Sequence, residues 1–235
     1  MNGHTDFILD LIAIGNDHLI SASADMSIKI WNIQEETVTR TLTGHTDHVW
    51  SLVLLKNGDL ASASVDTTII IWNRDDGTII KTLTGHLDEV WSLVLLKNDD
   101  LASASSDKTI KIWDVDNGLV KMTLRGHTDE VYVLNLLENG DLISGSRDNT
   151  IKVWNIENGS VKRTLRGHTS FVLALKLLEN GDLVSGSNDG KINIWDVENG
   201  KVKQYITVNS RINSIEVLQD GSLVSLSNKS IIIWD

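Results

Sequence analysis

The chain has no cysteine, which excludes a disulfide framework, a thiolate metal site and a cysteine nucleophile, and fits a reducing compartment. It has no proline either, where average usage would supply roughly a dozen; nothing in the sequence accounts for this. No stretch approaches the run of about 18 apolar residues that a membrane-spanning helix needs. The apolar segment Phe7–Ile14 is short, carries Asp10 and follows no basic residue, so it reads as a strand rather than a secretory signal. Without an export signal, the sequons at Asn158 and Asn228 carry little weight. Basic residues are scarce, 21 against 32 acidic ones, for a net charge of −11 at pH 7. Such a chain has no electrostatic reason to sit on nucleic acid or an anionic membrane, and a basic partner suits it better. What is present is ordinary for a folded protein, 41% hydrophobic and 23% charged residues over 235 positions. That is enough to bury a core. A soluble, cytoplasmic protein is expected.

The dominant feature is a repeat. Trp31, Trp72, Trp113, Trp154, Trp195 and Trp234 lie 41, 41, 41, 41 and 39 residues apart, each followed by Asn or Asp. A Gly-His pair keeps the same beat at His4, His45, His86, His127 and His168. Residues 41–73 and 82–114 align without gaps and agree at 26 of 33 positions. Agreement of that kind marks recent duplication of one unit.

Each unit reads as strands and turns. Residues 49–55 form a nearly continuous apolar run of strand length, as in a strand covered on both faces. Asn57-Gly58 supplies the positive φ of a tight hairpin, and the small-residue strand Leu60–Ser64 follows. A sharp turn at Val65-Asp66-Thr67 leads into the β-branched run Thr68–Trp72. Asp75-Asp76-Gly77 then turns the chain into Thr78–Leu83. Four antiparallel strands per unit result, and no unit alone covers both faces of its sheet, so units must stack.

Gly-His, then 21 residues to an Asp in a turn, then six more to Trp-Asp/Asn, resembles the WD-repeat β-propeller family, and the likeness spans essentially the whole chain. The resemblance implies an all-β propeller of six blades in a single domain over residues 1–235. The repeat units run at about 3–40, 41–81, 82–122, 123–163, 164–204 and 205–235. The sixth unit departs from the pattern: Val208 stands in place of His, and the turn Ser227–Ser230 is one residue short and lacks Asp. With only Met1-Asn2 before the first Gly-His and an end at Trp234-Asp235, the last blade is expected to lack its outer strand or to borrow one.

Ser62, His45 and Asp66, converging near Trp72, are the residue types of an acyl-transfer triad. The same set recurs with His4, His86, His127 and His168. Five identical catalytic centres are not credible in one small protein, whereas five identical struts are what a repeat protein requires, and the family uses this tetrad structurally. No catalytic residue, cofactor or metal site is therefore expected. There is no His-Glu-x-x-His motif, and the Asp114–Gly118 segment is a hairpin turn rather than a calcium loop.

In related propellers three positions per blade ring the upper mouth of the channel. Carried onto this chain, the first holds Phe7, His48, Glu89, Glu130, Phe171 and Arg211. The second holds Leu9, Trp50, Trp91, Tyr132, Leu173 and Asn213; the third holds Ala24, Val65, Ser106, Arg147, Asn188 and Asn228. Of the six aromatics outside the repeating Trp set, all but Tyr205 fall here, and rigid aromatics around one opening are the usual material of a binding hot spot. The expected partner-binding residues are Phe7, His48, Trp50, Glu89, Trp91, Glu130, Tyr132, Arg147, Phe171 and Arg211. The expected function is a non-catalytic scaffold that takes a protein or peptide, basic in character. The competing expectation is a structural or oligomerising repeat module, a propeller fragment or engineered repeat protein that completes its ring or outer strand with another chain. Self-association through the edge of the last blade, residues 230–235, is expected as well.

Overall fold

The computed structural model describes residues 3–208, 210–218, 220–227 and 230–234. Among them it holds six antiparallel sheets and no helix. The fold is an all-β, six-blade propeller. The chain divides into two compact units, one of Met1–Asp107 with Lys111–Met122, the other of Lys108–Ile110 with Thr123–Asp235.

The first sheet runs β1 (Ile8–Ile14), β2 (His18–Ser23), β3 (Ser27–Asn32) and β4 (Thr37–Thr43) in sequence order. The second repeats this with β5 (Val49–Leu54), β6 (Leu60–Ser64), β7 (Ile69–Trp72) and β8 (Ile79–Leu83). The third has β9 (Val90–Leu95), β10 (Leu101–Ser105), β11 (Thr109–Asp114) and β12 (Leu119–Arg125). The fourth has β13 (Val131–Leu136), β14 (Leu142–Ser146), β15 (Thr150–Trp154) and β16 (Val161–Arg166). The fifth has β17 (Val172–Leu177), β18 (Leu183–Ser187), β19 (Lys191–Asp196) and β20 (Lys201–Thr207). The sixth has three strands among the described residues: β21 (Ile212–Val217), β22 (Leu223–Ser227) and β23 (Ile231–Trp234).

Burial explains the strand compositions. The second strand of each of the first five sheets is small and alternating, as in Leu60-Ala-Ser-Ala-Ser64, and β6, β10, β14 and β18 are buried throughout. Sheets stack through branched side chains. In the first unit Ile28, Ile30 and Leu42 of the first sheet meet Val49, Leu52 and Trp72 of the second. Ile69, Ile71 and Leu83 of the second then meet Val90, Leu93 and Trp113 of the third in the same way. In the second unit Ile151, Val153 and Leu165 receive Val172, Leu175 and Trp195. Each such side chain, taken fully from water, is worth about 1.5–3 kcal/mol.

The turn at Asn57-Gly58 is built differently from the sequence expectation. Of Asn57-Gly58, only Gly58 has positive φ, 89°; Asn57 instead accepts the Asp59 N–H on its side chain at 3.0 Å. The loop closes as Gly58 N–H to Leu55 O and Leu55 N–H to Asp59 O, so it is longer than a two-residue hairpin. The second-to-third-strand turn puts Met26, Thr67, Lys108 and Asn149 in the left-handed region at φ of 66–72°. Gly190 takes that position in the fifth sheet.

Candidate functional site

The repeating tetrad is one directed chain of hydrogen bonds. In the second sheet Trp72 Nε1–H donates to Ser62 Oγ at 2.8 Å. Ser62 Oγ lies 2.8 Å from His45 Nε2, and His45 Nδ1 lies 2.8 Å from Asp66 Oδ2. An indole can only donate and an ionised carboxylate can only accept. The protons between them therefore run one way: Ser62 donates to His45 Nε2, and His45 Nδ1–H donates to Asp66. Burial pushes the Asp66 carboxyl up, but hydrogen bonds from His45, Thr68 and the Thr46 N–H outweigh it and hold the group well below the usual carboxylate range. The same balance holds Asp148 low. Burial pushes His127 and His168 down despite their aspartates, which keeps these imidazoles neutral at pH 7.

The tetrad recurs with His4, His86, His127 and His168, with Nδ1 to carboxylate distances of 2.8–3.1 Å. Each serine is fully buried, and each Oγ also takes an indole N–H. No Oγ of this set is open to a substrate carbonyl. In the sixth sheet Trp234 still donates to Ser225 at 2.9 Å, but Val208 is packed into the apolar cluster there. The glycine before four of the histidines, Gly3, Gly44, Gly126 and Gly167, is held small by the same indole. A Cβ on Gly44 would come 2.8 Å from the Trp72 ring.

The candidate rim residues sit just past these struts, at the starts of the first strands or, for Ser106 and Arg147, in the turn after the second. In the first unit Trp50 and Trp91 are half-buried, and their rings meet edge to face at 4.8 Å and 64°. Trp91 Nε1–H donates to Ser106 Oγ at 2.6 Å, and the Ser106 hydroxyl donates to Glu89 Oε2 at 3.3 Å. His48 is half-buried beside Asp47, with its Nε2 at 3.8 Å from Asp47 Oδ1. Phe7 is 78% exposed.

In the second unit the Tyr132 hydroxyl donates to Glu130 Oε2 at 2.6 Å. Burial and that carboxylate hold the phenol well above its ordinary pKa. Arg147 donates to Glu130 Oε1 through Nη1, and its guanidinium lies 5.0 Å from the centre of the Phe171 ring. Tyr132 and Phe171 lie 6.3 Å apart. Arg211 is exposed, and neither it nor Phe7 makes an aromatic or ion-pair contact among the described residues. Asn228, assigned to the third rim position, lies outside the described residues, as does Asp235 of the expected edge.

Repeat position puts Trp50 and Trp91 at one assigned place, and their rings meet; the contact of Tyr132 with Phe171, from two different assigned places, is not read from the sequence. Sequence reasoning also misses how Glu130 is spent: two side chains of its own repeat already occupy it. The signal was available, because Arg147 stands 17 residues after Glu130, as Ser106 stands 17 after Glu89. Among the described residues, no group of three or more His, Asp or Glu side chains is gathered as for a metal ion.

No curated protein matches the chain. The family model for the WD domain, G-beta repeat, matches residues 1–32, 36–73, 77–114, 118–155 and 159–196. Each match ends at or just beyond the tetrad tryptophan of its repeat, and the propellers of that family are generally protein-interaction scaffolds without catalysis. With five matches over most of its length, and the tetrad built in each, the chain belongs to the WD domain, G-beta repeat family.

Proposed function

We propose that residues 1–235 act as one propeller domain in the cytoplasm, a non-catalytic scaffold that binds a basic protein or peptide segment at the aromatic rim. The observation that carries this reading is the edge-to-face pair of Trp50 and Trp91, with Glu89 tied to Trp91 through Ser106. An aromatic face next to carboxylates suits a Lys or Arg side chain, and a cation over a ring is worth about 0.5–2 kcal/mol depending on desolvation. The net charge of −11 draws such a partner in. In the second unit Glu130 is already paired with Arg147. The test titrates basic, neutral and acidic peptide pools against the parent and a Trp91→Ala variant. Preferential binding of the basic pool, lost in the variant, supports the reading. Equal binding of all pools, or no loss on removing Trp91, refutes it.

A second reading, self-association, is favoured by exposure at the sixth sheet. Ile231 and Ile233 are 69% and 59% exposed, whereas the equivalent Ile69 and Ile71 are 0% and 3%. Such an apolar strand edge invites pairing with another chain. A molar mass that doubles with concentration, and reverts in an Ile233→Lys variant, supports it; a strict monomer at high concentration refutes it.

A further inference from the structure

The two rim tryptophans differ by one hydrogen bond. Trp91 spends its indole N–H on Ser106. Trp50, 41 residues earlier, is the buried side-chain donor left without an acceptor among the described residues. The cause is a single difference between two nearly identical repeats, because Val65 stands where Ser106 stands. The backbone is the same at both places: Val65 N–H donates to His48 O at 3.0 Å, and Ser106 N–H donates to Glu89 O at 2.9 Å. Only the acceptor is missing, since a valine methyl cannot take a proton.

A buried donor with no partner is held at a cost, and any acceptor that reaches it removes that cost. Trp50 also has no hydrogen bond to fix its ring, whereas Trp91 is pinned by one. We infer that Trp50 is the hydrogen-bond donor of the rim, its indole turning to give the N–H to a main-chain carbonyl oxygen of a bound peptide, and that Val65 keeps it unspent for that purpose. This rests on the rim reading proposed above. The acceptor is a neutral carbonyl because the Glu89 carboxylate, joined through Ser106 to the Trp91 ring that Trp50 touches, and the net charge of −11 repel an anion. An extended peptide offers such a carbonyl at every residue, and its Lys or Arg side chains then lie against the ring faces.

The test uses a pool of Lys- and Arg-rich 12-residue peptides, with the parent chain and Val65→Ser, Ser106→Val and Trp91→Ala variants. Affinity, the denaturation midpoint and the indole N–H signals in a nitrogen–proton correlation spectrum are read. Val65→Ser should weaken binding about 5-fold, raise the midpoint, and abolish the peptide-induced shift of the Trp50 indole signal. Ser106→Val, which takes the acceptor from Trp91, should give the Trp91 indole signal a peptide-induced shift of its own. If Val65→Ser binds like the parent while Trp91→Ala has lost binding, the rim reading stands and the donor role of Trp50 is overturned. If Trp91→Ala binds like the parent, or the parent takes no basic peptide, the rim reading itself falls and this inference with it. A Val65→Ser midpoint equal to the parent's overturns the unspent donor before any peptide is added.

Discussion

Arg40 on β4 clasps the β7–β8 turn of the next sheet, donating through Nη2 to Asp75 O at 2.5 Å and through Nη1 to Asp76 O at 2.6 Å. The contact recurs as Lys81 to Val115 and Asp116, and as Arg163 to Val197. Met122 and Gln204 hold the matching place in the third and fifth repeats. Arg40→Met, a residue the repeat itself accepts, should lower stability by about 1 kcal/mol. An unchanged urea midpoint would show the clasp to be idle.

The tetrads are struts, and removing one member strands the others. His45→Ala leaves Asp66 and Ser62 short of a partner in a nearly closed site, at a cost of about 1–3 kcal/mol. Chemical denaturation should show this loss while binding at the rim persists. Loss of a hydrolytic activity in this variant would instead revive the triad.

Thr67 holds φ at 72°, a region that β-branched residues avoid. Gly190 meets the same demand in the fifth repeat. Thr67→Gly should therefore stabilise the chain by about 0.5–1 kcal/mol, net of the entropy that glycine adds to the unfolded state. A lowered melting temperature would contradict this.

Acid should act in two stages. His127 and His168 fold with pKa values below their ordinary 6.5, so the unfolded state binds more protons as pH falls through 6.5, and stability begins to drop there. Asp25, Asp66, Asp148 and Asp189 fold with pKa values below their ordinary 3.8. Their contribution is complete above that value and is lost as pH falls below it. Unfolding free energy measured from pH 8 to 3 should fall gently, then steeply. Stability that rises on acidification from pH 7 to 5 would break the assignment.

The fold was legible because its determinants are periodic. Trp72, Ser62, His45 and Asp66 occupy fixed places in a 41-residue cycle, so their roles follow from recurrence rather than from any one residue. Strand limits were read within a residue or two, as with 49–55 against Val49–Leu54. The hairpin at Asn57-Gly58 was misread because its outcome depends on Asn57 capping Asp59, a side-chain choice the dipeptide does not reveal. The contacts among the assigned rim residues were only partly legible. Repeat position places Trp50 beside Trp91, but the pairing of Glu130 depends on Arg147, 17 residues further on, which a local pattern does not rank.

The sameness of the junctions has a kinetic side. Val90 and Leu93 enter the second sheet's core as Val49 and Leu52 enter the first's, from segments that agree at 26 of 33 positions. A collapsing chain that docks β9 where β5 belongs loses almost no packing energy and registers the error only when the skipped repeat has nowhere to go. Near-degenerate docking of this kind makes a rugged landscape with off-register traps. The seven residues that distinguish the two segments, Val65 and Ser106 among them, are then also the marks by which the chain tells one repeat from the next while it folds.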